Sequence, residues 1–426
     1  MAIHRGDAMK RFPSNLIAAA IATMLATPAW ADTPASPAAA GSTPSVGMQL
    51  LWDARLRDET VDDAAFVRDA HADTLRLRLG LLGDFGGGWS GLIEGAGVAG
   101  AGNRYNSGAN GQTRYPAITD PRGSELNQAW LRWHNPHFTA TAGRQELTLD
   151  NQRWVGNVGW RQFEQTYDAV ALQWKPAGDW VVRYDWLDRV HRVAGPDAIS
   201  PLARARKLAT SLFNVTYARG AQTWVGYSYL HEDRDVPAAS TATWGLRWQG
   251  TWIDHGNGPG WTAELARQSD HADNPASYTT TYWLLEPSWS VQGVTARLGW
   301  EHLGGDGVHA LQAPLATLHA FNGWDDQFTV TPAGGLEDHY VAIKGKFDNR
   351  GPVGKLGWAV SYHDYRADHG GRYGSEWDGS LAIPLATGFS ALLKVANYHA
   401  DGYGHDDAKL WLQMEWQGRQ TMSRAN

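Results

Sequence analysis

The sequence predicts an all-β protein, a transmembrane antiparallel β-barrel of about eighteen strands with short periplasmic turns and long extracellular loops. Three observations lead there. Apolar and polar residues alternate with a period of two along most of the chain. The segments joining these runs are short and long by turns. Aromatic residues collect at the run ends beside the short joins.

The alternation is plain near the start, where Met48, Leu50, Trp52, Ala54 and Leu56 interleave with Gln49, Asp53, Arg55 and Arg57. It continues where Leu75, Leu77, Leu79 and Leu81 interleave with Arg76, Arg78 and Gly80, and near the end through Leu410, Leu412, Met414 and Trp416. A helix would scatter these residues around its circumference, whereas a strand sorts them onto two faces. The predicted strands are 45–57, 73–84, 89–98, 124–133, 137–147, 166–174, 180–190, 208–217 and 222–231 in the first half. The second half holds 240–252, 260–269, 278–287, 291–303, 336–347, 354–365, 375–384, 388–400 and 407–417. Most reach the ~10 residues of a tilted membrane strand, and an even number lets both ends lie in the periplasm.

Composition agrees. The 426 residues include 23 Trp, 48 Gly and no Cys, with a net charge of −7. Mean hydropathy is −0.43, yet such a chain can sit in a bilayer if only alternate residues touch lipid. The acidic balance without a basic run argues against a nucleic-acid partner, and the lack of Cys removes thiolate metal sites and disulfides. Lys10 and Arg11, the apolar stretch Leu16–Ala26 and the box Ala29-Trp30-Ala31 read as a signal peptide over 1–31, too short in its apolar part to span about 30 Å of hydrocarbon. A periplasmic linker (32–44), the barrel (45–417) and a C-terminal tail (418–426) follow.

With the N-terminus periplasmic, the long joins 58–72, 99–123, 148–165, 190–207 and 304–335 all fall outside the cell. Trp89, Trp133, Phe138, Trp174, Trp180, Tyr217, Trp261, Trp289, Phe347 and Trp416 then form a girdle at the periplasmic interface. Strand parity turns Arg55, Arg57, Arg76, Arg78, Glu94, Glu125, Arg132, Arg183, Arg247, Arg297 and Lys394 into the bore, where bases outnumber acids and would concentrate anions. Cross-strand ion pairing is the competing use of these charges, although four arginines so close together repel unless acids or a passing anion offset them. The third outer loop carries Asp150, Arg153, Trp154, Arg161 and Glu164, a mixture suited to a constriction folded into the pore.

Other motifs carry less. Gly95–Gly100 spells a dinucleotide fingerprint, but no helix pattern follows it. The clusters Asp364–His369 and Asp401–Asp407 read as solvated loops rather than cation sites, and no metal or other cofactor is expected. No HExxH or GxSxG pattern occurs. A barrel-borne acyl hydrolase and a soluble sugar-binding β-sandwich stay as rivals, along with a weakly selective diffusion porin.

Glu125-Leu126-Asn127-Gln128-Ala129-Trp130-Leu131, Gly143-Arg144-Gln145-Glu146-Leu147 and Asp150-Asn151-Gln152-Arg153-Trp154-Val155-Gly156 followed by Gly159-Trp160-Arg161-Gln162 resemble the alginate-export family of outer-membrane porins. The resemblance implies an eighteen-stranded monomeric barrel in a Gram-negative outer membrane, in contact with lipid and lipopolysaccharide and without enzymatic activity. It also implies an arginine-lined constriction, for which Arg76, Arg78, Arg132, Arg144, Arg153 and Arg161 are the matching positions. Parity places Arg144 on the lipid side unless its strand kinks or ends there. The function expected is passive passage of anionic or polar solutes, uronate-type saccharides or organic acids.

Overall fold

A computed structural model describes residues 47–348 and 355–422. The expected signal peptide and linker lie outside the described residues. The strands are β1 (Gly47–Asp63), β2 (Ala70–Gly86), β3 (Trp89–Arg104), β4 (Gly123–His134), β5 (Phe138–Gln145), β6 (Thr166–Trp174), β7 (Trp180–His191), β8 (Ala205–Arg219) and β9 (Gln222–His231). They continue as β10 (Thr241–Thr251), β11 (Gly258–Asp270), β12 (Thr279–Val291), β13 (Val294–Leu303), β14 (Leu336–Asp348), β15 (Lys355–Arg366), β16 (Arg372–Ala386), β17 (Phe389–Ala400) and β18 (Asp407–Met422). Each corresponds to one expected strand. Every strand pairs antiparallel with the next in sequence, and β1 also pairs with β18, so the sheet of 18 strands closes. Closure leaves no sheet edge, as a hydrocarbon surrounding demands.

Two faces are sorted as the alternation predicts, inverted relative to the burial preferences of a soluble protein. Arg76 is fully buried while its neighbours Leu75 and Leu77 are 47% and 46% exposed. Arg57 is likewise buried beside the exposed Leu56. Leucine outward and arginine inward is stable only when the outside is lipid. Trp89, Trp174, Trp180, Trp289, Phe347 and Trp416 are exposed next to the short turns, and the Trp180 and Tyr217 rings meet at 4.6 Å. A second set of outward aromatics, Trp244, Trp300 and Trp377, marks the opposite end.

One boundary differs from expectation. The barrel does not stop at 417: β18 runs on to Met422, pairing Gln417 with Asp53 and Met422 with Met48. The long first strand offers those partners, and taking them satisfies backbone groups that would otherwise face the membrane bare. Many strands also extend past their expected outer ends, for example β1 to Asp63 and β3 to Arg104, where polar side chains hide the alternation. Gly95–Gly100 lies inside β3, which excludes the dinucleotide reading.

If Leu77 faces hydrocarbon near mid-strand, Leu77→Arg should cost about 2–4 kcal/mol of barrel stability. Urea unfolding from lipid vesicles checks this, and an unchanged midpoint would place Leu77 away from the bilayer.

Candidate functional site

The bore is occupied by extracellular loops. L3 (146–165) leaves β5 and dives inward. Its Leu147, Leu149, Trp154 and Val155 are buried among Tyr167, Tyr227, Tyr229 and Tyr282 of the wall. Trp154 donates its indole N–H to Glu264 (2.9 Å) and sets its ring edge-on to Tyr282. Arg153 reaches Glu301 (3.0 Å), donates to Asn322 (3.1 Å) and lies over the Phe321 ring. Asp150 accepts from Asn214 (2.9 Å), and burial, with Glu264 nearby, pushes its carboxyl up from the usual range. The expected constriction loop is therefore an inward loop held by side chains from across the barrel.

A second loop was not foreseen. L7 (304–335) also enters the bore and docks against L3. Val155 bridges to Leu315, Gly156 N–H donates to the Leu315 carbonyl (2.9 Å), and Thr317 donates to Gln152 (2.7 Å). The approach is so close that a Cβ on Gly156 would collide with the Thr317 hydroxyl. Beyond this seam L7 sits on an acidic wall. Asn322 donates to Glu301 (2.7 Å) and Asp338 (3.1 Å), Asp325 N–H donates to Glu376 (2.7 Å), and Lys409 pairs with Asp325 (3.1 Å). The run Phe321–Gln327 mixes aromatic and charged residues much as L3 does, and that was the available signal.

The expected arginine ladder proves to be a mount for L3 rather than a bare track. Arg76 bonds Asp53 (2.7 Å) and Glu415 (3.0 Å); Arg55 bonds Glu415 (2.9 Å) and donates to the Gly159 carbonyl (2.9 Å). Arg57, also inward, pairs with Asp120 (3.3 Å) and lies over the Trp160 ring (4.2 Å). Arg78 joins Asp53 (2.6 Å) to Glu164. Acids from β1, β18 and L3 thus offset the mutual repulsion. Arg161 pairs with Glu59 (3.1 Å) and Asp326 (3.5 Å). Burial works to lower its pKa, but Glu59, Asp120 and Asp326 outweigh this and raise it.

The remaining expected positions divide. Glu94 on β3 accepts from Asn127 of β4 (2.7 Å), and Glu125 is half-buried on β4. Arg247 pairs with Glu264 (2.7 Å), Arg183 with Asp185 (2.8 Å) and Arg297 with Glu286 (3.6 Å). Arg132 donates to the Thr141 hydroxyl (3.0 Å) and lies over Trp130 (4.4 Å). Arg144 is corrected: it does not line the bore. It shares the outward row of β5 and pairs with Asp168 (2.9 Å), which lies in the row of the exposed Val170 and Trp174. Its register with Ala129 on β4 and Asp168 on β6 is kept through the strand end, despite the positive φ of Gly143 before it.

Lys394 completes the centre. Its Nζ lies 3.9 Å from the Trp324 ring centroid and 4.3 Å from that of Trp160, and donates to His319 Nε2 (2.6 Å). His319 stacks on Trp160 (4.5 Å) and donates from Nδ1 to Asp326 (2.9 Å). Burial holds the His319 imidazole down to about 3, against the pull of Asp326. Beside this cluster, L2 (105–122), L3, L7 and the wall line a half-open cavity of about 400 Å³ that includes Trp160, Arg161, His319, Asp326 and Lys409.

Metal-ligating groups lie elsewhere. Among the described residues, Asp58/His71/Asp73 and His302/Glu337/Asp368 bring three donors together, both on the outer wall. The clusters singled out in the sequence instead form ion pairs, Asp364 with Arg366 and Arg372, and Arg372 with Asp401.

Two outcomes follow from this packing. Arg153→Ala leaves Glu301 buried without its charge partner, which costs about 3–5 kcal/mol and should free L3. Larger single-channel conductance and new protease cleavage within 146–165 would show it; unchanged values would mean L3 is held elsewhere. Acid should loosen L7. Docked His319 titrates near 3, whereas a released imidazole titrates near 6.5. The docked state therefore binds fewer protons, and docking weakens as pH falls below ~6.5. A proton on Nε2 would also face the Lys394 ammonium. Conductance should rise from pH 7 to pH 4 in the native chain and stay flatter in His319→Asn.

No curated protein sequence matches this chain. Solved structures share its fold. OccAB3 of Acinetobacter baumannii superposes with a TM-score of 0.70 at 11% identity, covering 88% of this chain and 99% of that one. OpdK of Pseudomonas aeruginosa gives 0.68 at 13%, covering 88% and 99%, and OccAB4 of A. baumannii gives 0.66 at 13%, covering 88% and 98%. The family model described as alginate export matches residues 48–303. This closed barrel with its loop-filled bore is an outer-membrane channel of a Gram-negative bacterium, and the chain belongs to the alginate export family.

Proposed function

We propose that this channel is a substrate-selective, monomeric pore for small anionic or polar solutes, organic acids rather than uronate polymers. The observation that carries this reading is the joint occupation of the bore by L3 and L7 around a cavity of about 400 Å³. That volume suits one small molecule, since ligand pockets commonly measure ~300–1,000 Å³. A polymer chain would need both loops displaced. One neighbouring structure is that of Pseudomonas aeruginosa OpdK with vanillate, a small aromatic carboxylate. Here the stacked Trp160–His319 pair supplies an aromatic face, and Arg161 and Lys409 supply positive charge beside it.

Charge favours anions in a restricted way. Most wall arginines are committed to carboxylates, and the cavity itself also carries Asp63, Asp325, Asp326 and Asp407. Selectivity is therefore assigned to the guanidinium groups that keep partial solvent access, above all Arg132, whose side-chain contacts are a hydroxyl and an aromatic face. A weakly selective diffusion pore would leave its bore open, and the two docked loops argue against that.

Planar bilayers under a KCl gradient should give reversal potentials favouring chloride, and Arg132→Gln should reduce that preference while leaving conductance steps intact. Cation preference would overturn the anion assignment but not the channel. Liposome swelling should be faster with vanillate-sized carboxylates than with neutral sugars of equal size. Equal rates would return the protein to general diffusion, and rapid passage of uronate oligomers would restore the polymer reading.

A further inference from the structure

The outer wall carries a feature that solute passage does not use. Asp58 on β1 and Asp73 on β2 are direct register partners, as are Thr60 and His71 one step further out. All four side chains share the outward rows of Leu56 and Leu75, which are 52% and 47% exposed to lipid. The group thus sits at the extracellular rim, where hydrocarbon gives way to headgroups. Two carboxylates facing each other across a strand pair repel, so this pairing is costly unless a shared proton, a protonated His71 or a metal cation offsets it.

We propose that Asp58, His71 and Asp73 form a divalent-metal site of the zinc class. His71 Nε2 lies 3.4 Å from Asp58 Oδ2 and 3.3 Å from Asp73 Oδ2. A charge-assisted hydrogen bond between such groups would be about 2.7–2.9 Å long. Separations of about 3.3–3.4 Å are instead the edges of a tetrahedron whose bonds are ~2.0–2.1 Å, the lengths zinc makes with imidazole and carboxylate. The ring also has a partner for its other nitrogen. Thr60 Oγ1 lies 3.1 Å from His71 Nδ1; with a metal on Nε2 the ring carries its proton on Nδ1, and the hydroxyl is placed to accept it.

The donor set selects the ion class. One imidazole and two carboxylates, with a net charge of −2, suit zinc and its transition-metal neighbours, whereas calcium takes six to eight oxygens. Side-chain exposures of 30%, 35% and 48% for Asp58, His71 and Asp73 leave the fourth position open to the headgroup layer. The second triad shows the contrast. His302 Nδ1 lies 2.6 Å from Glu337, an ordinary hydrogen bond, and 3.8 Å from Asp368, so that histidine is committed to one partner. A metal at the first triad would clip β1 to β2 beside the β1–β18 seam that closes the barrel.

The test uses the full barrel, refolded in detergent and washed with chelator, with Zn²⁺ as the calorimetric probe and Co²⁺ as the spectroscopic one. The native chain should bind Zn²⁺ saturably, and bound Co²⁺ should show the intense visible absorption of four-coordinate geometry. Thr60→Val should weaken binding about tenfold by releasing the ring. His71→Gln and Asp73→Asn should weaken it further, and Glu337→Gln should leave it unchanged. Each substitution lies on an outward surface, and heat-modifiable gel migration reports whether the barrel has formed. Absence of saturable binding in the native chain overturns the proposal. So does binding that survives His71→Gln and Asp73→Asn, or binding that is lost in Glu337→Gln.

Discussion

Everything in this molecule depends on the rule that no backbone N–H or C=O can be left unpaired in hydrocarbon. With no long apolar helix among the described residues, the chain meets that rule by closing its sheet on itself, through the β1–β18 ladder from Met48–Met422 to Asp63–Asp407. Once the sheet is closed, strand parity has a fixed meaning. One side must be greasy, and the other receives every charge the wall carries. The acid–base network of the bore is a consequence of closure, because the charges excluded from lipid have only each other, the loops and water for partners.

That network explains why an arginine-rich wall need not be a conductor of anions. A guanidinium buried at Arg76 or Arg57 must be matched, and the structure matches it with Asp53, Glu415 and Asp120. Arg57 and its neighbour Arg55 spend further donors on the carbonyls of Trp160 and Gly159. The same side chains that would draw an anion therefore hold the loop that narrows its path. Counting charges along strands overstates the field a solute meets; what counts is the subset left unpaired.

Much of this was legible in the sequence, and the boundary of legibility is physical. Strands, their parity and the girdle follow from neighbours two residues apart, so Leu75–Leu81 and Arg76–Arg78 declare their faces directly. Parity even warned that Arg144 belongs outside. What the sequence did not disclose are contacts between distant segments. Arg153 finds Glu301 and Asn322, and Arg55 finds Glu415, 360 positions away. The inward fold of L7 is of this kind, since its docking partners sit on L3 and on β13 to β18. The outer strand ends were also obscured, because beyond the membrane both faces are polar.

The seam between L3 and L7 has one more implication. Because Gly156, Gln152 and Gln165 on one loop share their hydrogen bonds with Leu315 and Thr317 on the other, neither can swing out alone without stranding polar groups of its partner. The two behave as leaves of one door. Parting them along this seam forfeits the polar contacts of both at once, so whatever loosens one leaf loosens the hinge of the other.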